Sequence, residues 1–108
     1  MLHPAQLPVT VKKTIDAYLH ALYNNNIPIK EAILFGSYAR GNYQEWSDRD
    51  IALVSEIFEG NRIADKDKIR TITLSVSSAL EVTPFSPYDF TVHNPFVKEI
   101  LQTGIKLV

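Results

Sequence analysis

Apolar side chains recur at steps of three and four at Val11, Ile15, Tyr18, Leu19 and Leu22. That spacing lines one face of an amphipathic helix. Pro8 stands ahead of the run, where a first helical turn tolerates it, Asn24-Asn25-Asn26 ends it, and Pro28 prevents its continuation. Ala32-Ile33-Leu34-Phe35 is then a short apolar run closed by Gly36, which reads as a buried strand stopping at a tight turn. After a polar stretch from Ser37 to Ser47, interrupted by Gly41, a second strand is expected over Asp48–Val54. Strand alternation sends Asp48 and Asp50 to one face and Ile51 and Leu53 to the other.

Ser55 to Asn61 reads as a loop. A second long helix follows, with Ile69, Ile72, Val76, Ala79 and Leu80 at helical spacing, and its Thr and Ser content blurs its limits. Leu80 to Phe85 reads as a third strand, ended by Ser86-Pro87. Asn94-Pro95 pairs an N-cap with a proline at the first helical position. Phe96, Ile100 and Leu101 form the stripe of that helix, Gly104 is a natural stop, and Ile105 to Val108 is expected as a short edge strand. No repeat, low-complexity tract or linker divides the chain, so residues 1–108 read as one domain. The element order predicts an α/β or α+β fold built on one small sheet.

Composition narrows the function classes. The chain has 108 residues, 45% hydrophobic and 21% charged, with a formal net charge of −1. That balance is ordinary for a globular protein and argues against general nucleic-acid binding, which carries a basic excess. There are no cysteines, so disulfides and thiolate zinc sites are excluded. Met1 to Pro8 lacks the basic-plus-apolar pattern of a signal peptide, and no apolar run approaches the roughly 20 residues a membrane span needs. A cytoplasmic protein is expected.

The chemistry-bearing segment is Leu34 to Val54. Gly36 can adopt angles closed to other residues and carries no side chain to block a phosphate, Ser37 adds a hydroxyl, and a helical turn at Tyr38-Ala39-Arg40 would aim free N–H groups at the same place. Asp48 and Asp50, two apart on a strand, project together. Two hard oxygen ligands side by side suit Mg²⁺, which takes a few carboxylates together with phosphate oxygens. A bound cation would also offset their mutual repulsion.

Leu34-Phe35-Gly36-Ser37-Tyr38-Ala39-Arg40-Gly41, followed by Ser47-Asp48-Arg49-Asp50-Ile51-Ala52-Leu53, resembles the signature of the polymerase-beta-type nucleotidyltransferase superfamily: Gly-Ser, ten residues, then Asp-x-Asp. Ala39-Arg40-Gly41 and Ser47 resemble its minimal-nucleotidyltransferase branch. The resemblance implies a small mixed sheet with helices packed on one side, Mg²⁺, and a nucleoside triphosphate, most often ATP. It implies Gly36, Ser37 and Arg40 for nucleotide binding and Asp48 and Asp50 for metal and catalysis. Many relatives of this size pair with a small helical partner of the HEPN type, where the nucleotidyltransferase acts as antitoxin, in some cases by adenylylating a toxin tyrosine. Asn94 to Leu101 with Thr103-Gly104-Ile105 matches the C-terminal helix of one subset.

The family's third carboxylate has no clean copy. Glu81, in an apolar strand, is favoured as the third metal ligand and catalytic group over Asp89, which follows a proline and looks like a turn residue. Arg40 is open between a phosphate contact and an ion pair holding the loop. For Tyr38, Tyr43 and Trp46, packing under the loop is favoured over stacking on a base. His3, His20 and His93 share no metal-ligand spacing, and Lys66, Lys68 and Arg70 read as a solvated helix face. The leading expectation is transfer of AMP from ATP to a hydroxyl on a partner protein, with the partner or a second copy completing a site that so short a chain has little surface to build. Its rivals are a binding module that keeps the fold without activity, and a small-molecule transferase of the antibiotic-modifying kind.

Overall fold

A computed structural model of the protein describes residues 7–108; His3 and most of the Met1–Pro8 stretch lie outside the described residues. The elements follow in the order α1 (Val9–Asn24), β1 (Glu31–Phe35), α2 (Ser37–Arg40), β2 (Arg49–Val54), α3 (Arg62–Val76), β3 (Leu80–Phe85), α4 (Pro95–Thr103) and β4 (Ile105–Lys106). Pro8 is the residue before α1 rather than within it, in extended conformation, as suits a side chain that fixes its own φ and lacks an N–H. Asn94 and Pro95 behave as read: the Asn94 side chain accepts from the Phe96 N–H at 2.9 Å, and Pro95 opens the helix.

The four strands form one sheet in the order β3-β2-β1-β4. β1 runs antiparallel to β2 and to β4. β2 and β3 are parallel, which requires the crossover that α3 supplies. The sheet is therefore mixed, as expected. β3 is an edge strand, the place where Pro84 costs least because a ladder donor is dispensable there.

The pleat divides the core in two. Ala32, Leu34, Ile51, Leu53, Leu80 and Val82 meet Val11, Ile15, Tyr18, Leu22 and Ile69 of α1 and α3 on one face. Ile33, Ala52, Val54 and Phe85 meet Val97 and Ile100 of α4, with Phe90, on the other. The two long helices thus lie on one side, as the resemblance implies, and the short α4 covers part of the opposite side. Tyr18 and Leu22 are fully buried, each contributing about 1.5–3 kcal/mol by burial, and the Tyr18 hydroxyl is partnered by Thr73 at 2.7 Å. Burial raises the Tyr18 pKa above its ordinary value, partly offset by that bond.

The loop between β2 and α3 is tied down by a buried acid. Asp65, 1% exposed, accepts from the N–H groups of Glu59 and Gly60 and pairs with Lys68 at 3.2 Å. Burial alone would raise its pKa; the two N–H donors and the Lys68 ammonium outweigh it and hold the carboxyl below its ordinary value. Lys68 and Arg70, expected on a solvated face, are each engaged, Arg70 with Asp67 at 2.9 Å. Among the described residues no helix is long and apolar enough to cross a membrane.

Candidate active site

The site forms where β1 ends and β2 begins. Phe35 and Asp50 are register partners on these antiparallel strands, so the residue after β1 lies against the start of β2. That residue is Gly36, with φ 77 and ψ −151, a region essentially confined to glycine. A β-carbon there would collide with Oδ2 of Asp50 and lie 3.1 Å from its Cγ. The bend and the Asp50 carboxylate therefore meet on one side of the molecule.

α2 starts at Ser37. Its first helical bond runs from the Arg40 N–H to the Gly36 carbonyl at 3.1 Å, so the N–H groups of Ser37, Tyr38 and Ala39 precede the helical ladder. Gly41 stops it in the left-handed conformation. The turn lines a cleft of about 270 Å³ with Gly36, Arg40 and Asp50 on one side and Phe96, Glu99 and Thr103 of α4 on the other. Arg40 is exposed, makes no ion pair among the described residues, and lowers the pKa of Asp50 by its charge. Of its two readings, the loop-holding ion pair finds no partner.

Asp50 lies on the face that also carries Ala52 and Val54, with Ile51 and Leu53 on the other. Asp48, just outside the strand, is exposed. The strand starts at Arg49, whose N–H donates to the Ala79 carbonyl at 2.9 Å. Glu81 sits beside Asp50 in the parallel register of β2 and β3, about 4.8 Å across the strand spacing. Burial first, then the charges of Asp48 and Glu81, push the Asp50 carboxyl above its ordinary value. Asp89 lies beyond the other end of β3, accepting from the Ser86 hydroxyl at 2.9 Å in a turn, and is no part of this cluster.

Among the described residues no three His, Cys, Asp or Glu side chains converge on a point able to hold a metal ion. Mg²⁺ does not require such a cage; one or two carboxylates with substrate phosphates and water suffice. Asp48 and Asp50 offer two, and their repulsion, felt in the raised Asp50 pKa, is what a cation would relieve. Glu81 stands aside, its Oε1 3.0 Å from the Lys66 ammonium.

One residue has a role that no local pattern in the sequence signals. Arg49, the middle residue of Asp-x-Asp, points away from the acids, with its guanidinium 5.3 Å from the Tyr38 ring centre and Nη1 donating to the Ser47 carbonyl at 2.8 Å. Tyr38 stacks on Tyr43 at 4.4 Å and donates to the Gln44 carbonyl at 3.2 Å. This stack packs the underside of the loop, as favoured for Tyr38 and Tyr43; Trp46, expected to pack there too, is instead 79% exposed. Lys66, on the solvated face as expected, also meets Glu81. Neither arrangement is periodic along the chain, so no local pattern announces it. His20 and His93 are exposed and take no part.

A nucleotidyltransferase domain family matches residues 15–106. Two Methanocaldococcus jannaschii proteins, each named as a candidate protein adenylyltransferase, are similar. One is 33% identical over 81 residues, 73% of this chain and 79% of that one. The other is 47% identical over 47 residues, 43% of this chain and 47% of that one. A toxin–antitoxin crystal structure with AMP-PNP shares the fold at TM-score 0.62 and 22% identity, over 86% of this chain and 71% of that one. A candidate nucleotidyltransferase from Sulfolobus solfataricus does so at TM-score 0.50 and 22% identity, over 69% and 75%.

Proposed function

Because the chain belongs to the nucleotidyltransferase domain family, and is an enzyme of that kind, we propose that it transfers AMP from ATP to a hydroxyl of a partner protein, with Mg²⁺. The observation that carries this reading is the contact between the Gly36 bend and the Asp50 carboxylate. That close approach supports a phosphate-holding bend facing an acid of the metal site.

In this reading Gly36, Ser37 and the N–H groups of α2 hold the β- and γ-phosphates, and Arg40 screens their charge. Asp48 and Asp50 hold the metal. Mg²⁺, when bound, supplies charge neutralisation at the α-phosphate and the departing pyrophosphate. The acceptor oxygen attacks the α-phosphorus in line, the bond from that phosphorus to the bridging oxygen breaks, and pyrophosphate leaves. Glu81, exposed at the sheet edge beside Asp50, takes the hydroxyl proton and completes the metal site. Catalysis of this type rests on positioning and charge.

The similarity to protein adenylyltransferases and to a toxin–antitoxin structure supports AMP as the transferred group and a protein as acceptor. A small helical toxin of the HEPN type, with this chain as its antitoxin in the cytoplasm, is the partner that fits. Incubation with labelled ATP, Mg²⁺ and the product of the adjacent gene tests it. Label should pass to the partner and vanish when Asp48→Asn and Asp50→Asn are combined. Transfer that survives both changes overturns the assignment.

A further inference from the structure

Glu81 has two neighbours of opposite character. On one side Asp50 lies in register on β2. On the other, Lys66 of α3 reaches Oε1 at 3.0 Å, with the two side chains 40% and 52% exposed. α3 packs on the sheet face opposite Asp50, through Ile69 against Leu80 and Val82. Lys66 therefore meets Glu81 round the open edge of β3, which no further strand covers among the described residues. Arg70, in the same groove between α3 and β3, is taken up by Asp67 and does not compete.

We propose that Lys66 is a latch on Glu81: it holds this carboxylate outside the acid pair until a divalent cation draws it across to Asp48 and Asp50. The inference rests on the metal-site reading above. Three consequences of the geometry support it. Drawn toward Lys66, Glu81 leaves only a pair of acids facing the bend, consistent with the lack of a three-carboxylate cluster among the described residues. A glutamate has one more rotatable bond than an aspartate, so one backbone position serves both partners. An exposed ion pair is weak, so a doubly charged ion between several carboxylates displaces it, while in the metal-free protein Lys66 relieves Glu81 of its repulsion with Asp50. Lys66 is thus a positioning residue, acting through Glu81.

The test measures Mn²⁺ affinity of the full chain by electron paramagnetic resonance, without nucleotide, for wild type, Lys66→Met, Glu81→Gln and the double variant. Both side chains are half exposed, and circular dichroism verifies that each variant is folded. Lys66→Met should tighten Mn²⁺ roughly 1.5- to fivefold, the strength of the exposed ion pair it removes. Glu81→Gln should weaken it, and in that background Lys66→Met should have no further effect. Lys66→Arg should restore wild-type affinity. Equal tightening with and without Glu81 means simple charge repulsion and overturns the latch, as does no tightening at all. Asp48→Asn separates the two levels: if Mn²⁺ binding ignores it, the metal-site reading fails, and the latch with it. If binding requires Asp48 but shows no coupling between Lys66 and Glu81, the latch alone fails.

Discussion

Gly36→Ala is a one-carbon change with two separable costs. The backbone at φ 77, ψ −151 lies where a side chain is strained by about 1–3 kcal/mol. The added methyl also collides with Oδ2 of Asp50, with Cγ only 3.1 Å away, so the carboxylate must swing out of position. The first cost appears as stability: at about 4–8 °C per kcal/mol for a domain near this size, thermal unfolding should fall by roughly 5–20 °C. The second appears as function, a loss of Mn²⁺ binding and of transferase activity beyond what unfolding explains at 20 °C. Gly60→Ala is the matched control. Gly60 has φ +92, and a β-carbon there would lie 2.8 Å from Oδ2 of Asp89, a carboxylate remote from the site. It should lose comparable stability and keep Mn²⁺ binding. Circular dichroism melts and manganese titration, read together on both variants, decide the matter. If Gly36→Ala melts as wild type and binds Mn²⁺ equally, the close approach of bend and acid is not what organises this site. If Gly60→Ala loses metal to the same degree, the effect is general and not local.

Asp65→Ala, which leaves the N–H groups of Glu59 and Gly60 and the Lys68 ammonium without their acceptor, should cost about 2–4 kcal/mol at pH 7 in urea denaturation. The folded carboxyl titrates below its ordinary 3.8, so this contribution is complete above that pH and is lost as pH falls through the lower folded value; the gap between wild type and variant should narrow there. Asp50→Asn should raise the melting temperature of the metal-free protein, because burial and the charges of Asp48 and Glu81 disfavour the ionised acid, while abolishing transfer; a lower melting temperature would contradict that account. Tyr18→Phe removes the hydroxyl bonded to Thr73 and should cost about 0.5–1.5 kcal/mol by chemical denaturation, leaving activity unchanged.

Most helix and strand identities were readable from the chain because they rest on local chemistry: the period of Val11, Ile15, Tyr18 and Leu22, the alternation through β2, and Asn94-Pro95 at the head of α4; Gly104 does end α4, but in extended conformation, and its bare Cα is needed for the close approach to Ile33 and Leu34. Asp48, expected on the strand with Asp50, lies just before it, whereas the bend at Gly36 was readable like those elements, since a glycine closing an apolar run is a short-range pattern. Helix α4 on the second face, the alignment of Glu81 rather than Asp89 with Asp50, the Arg49–Tyr38–Tyr43 stack and the grip of Lys66 on Glu81 were not. Each depends on strand order, register or the path of a crossover, and those are fixed by packing between residues distant along the chain. A sequence states which groups are present and which way neighbours point; only the closed sheet determines which of them meet.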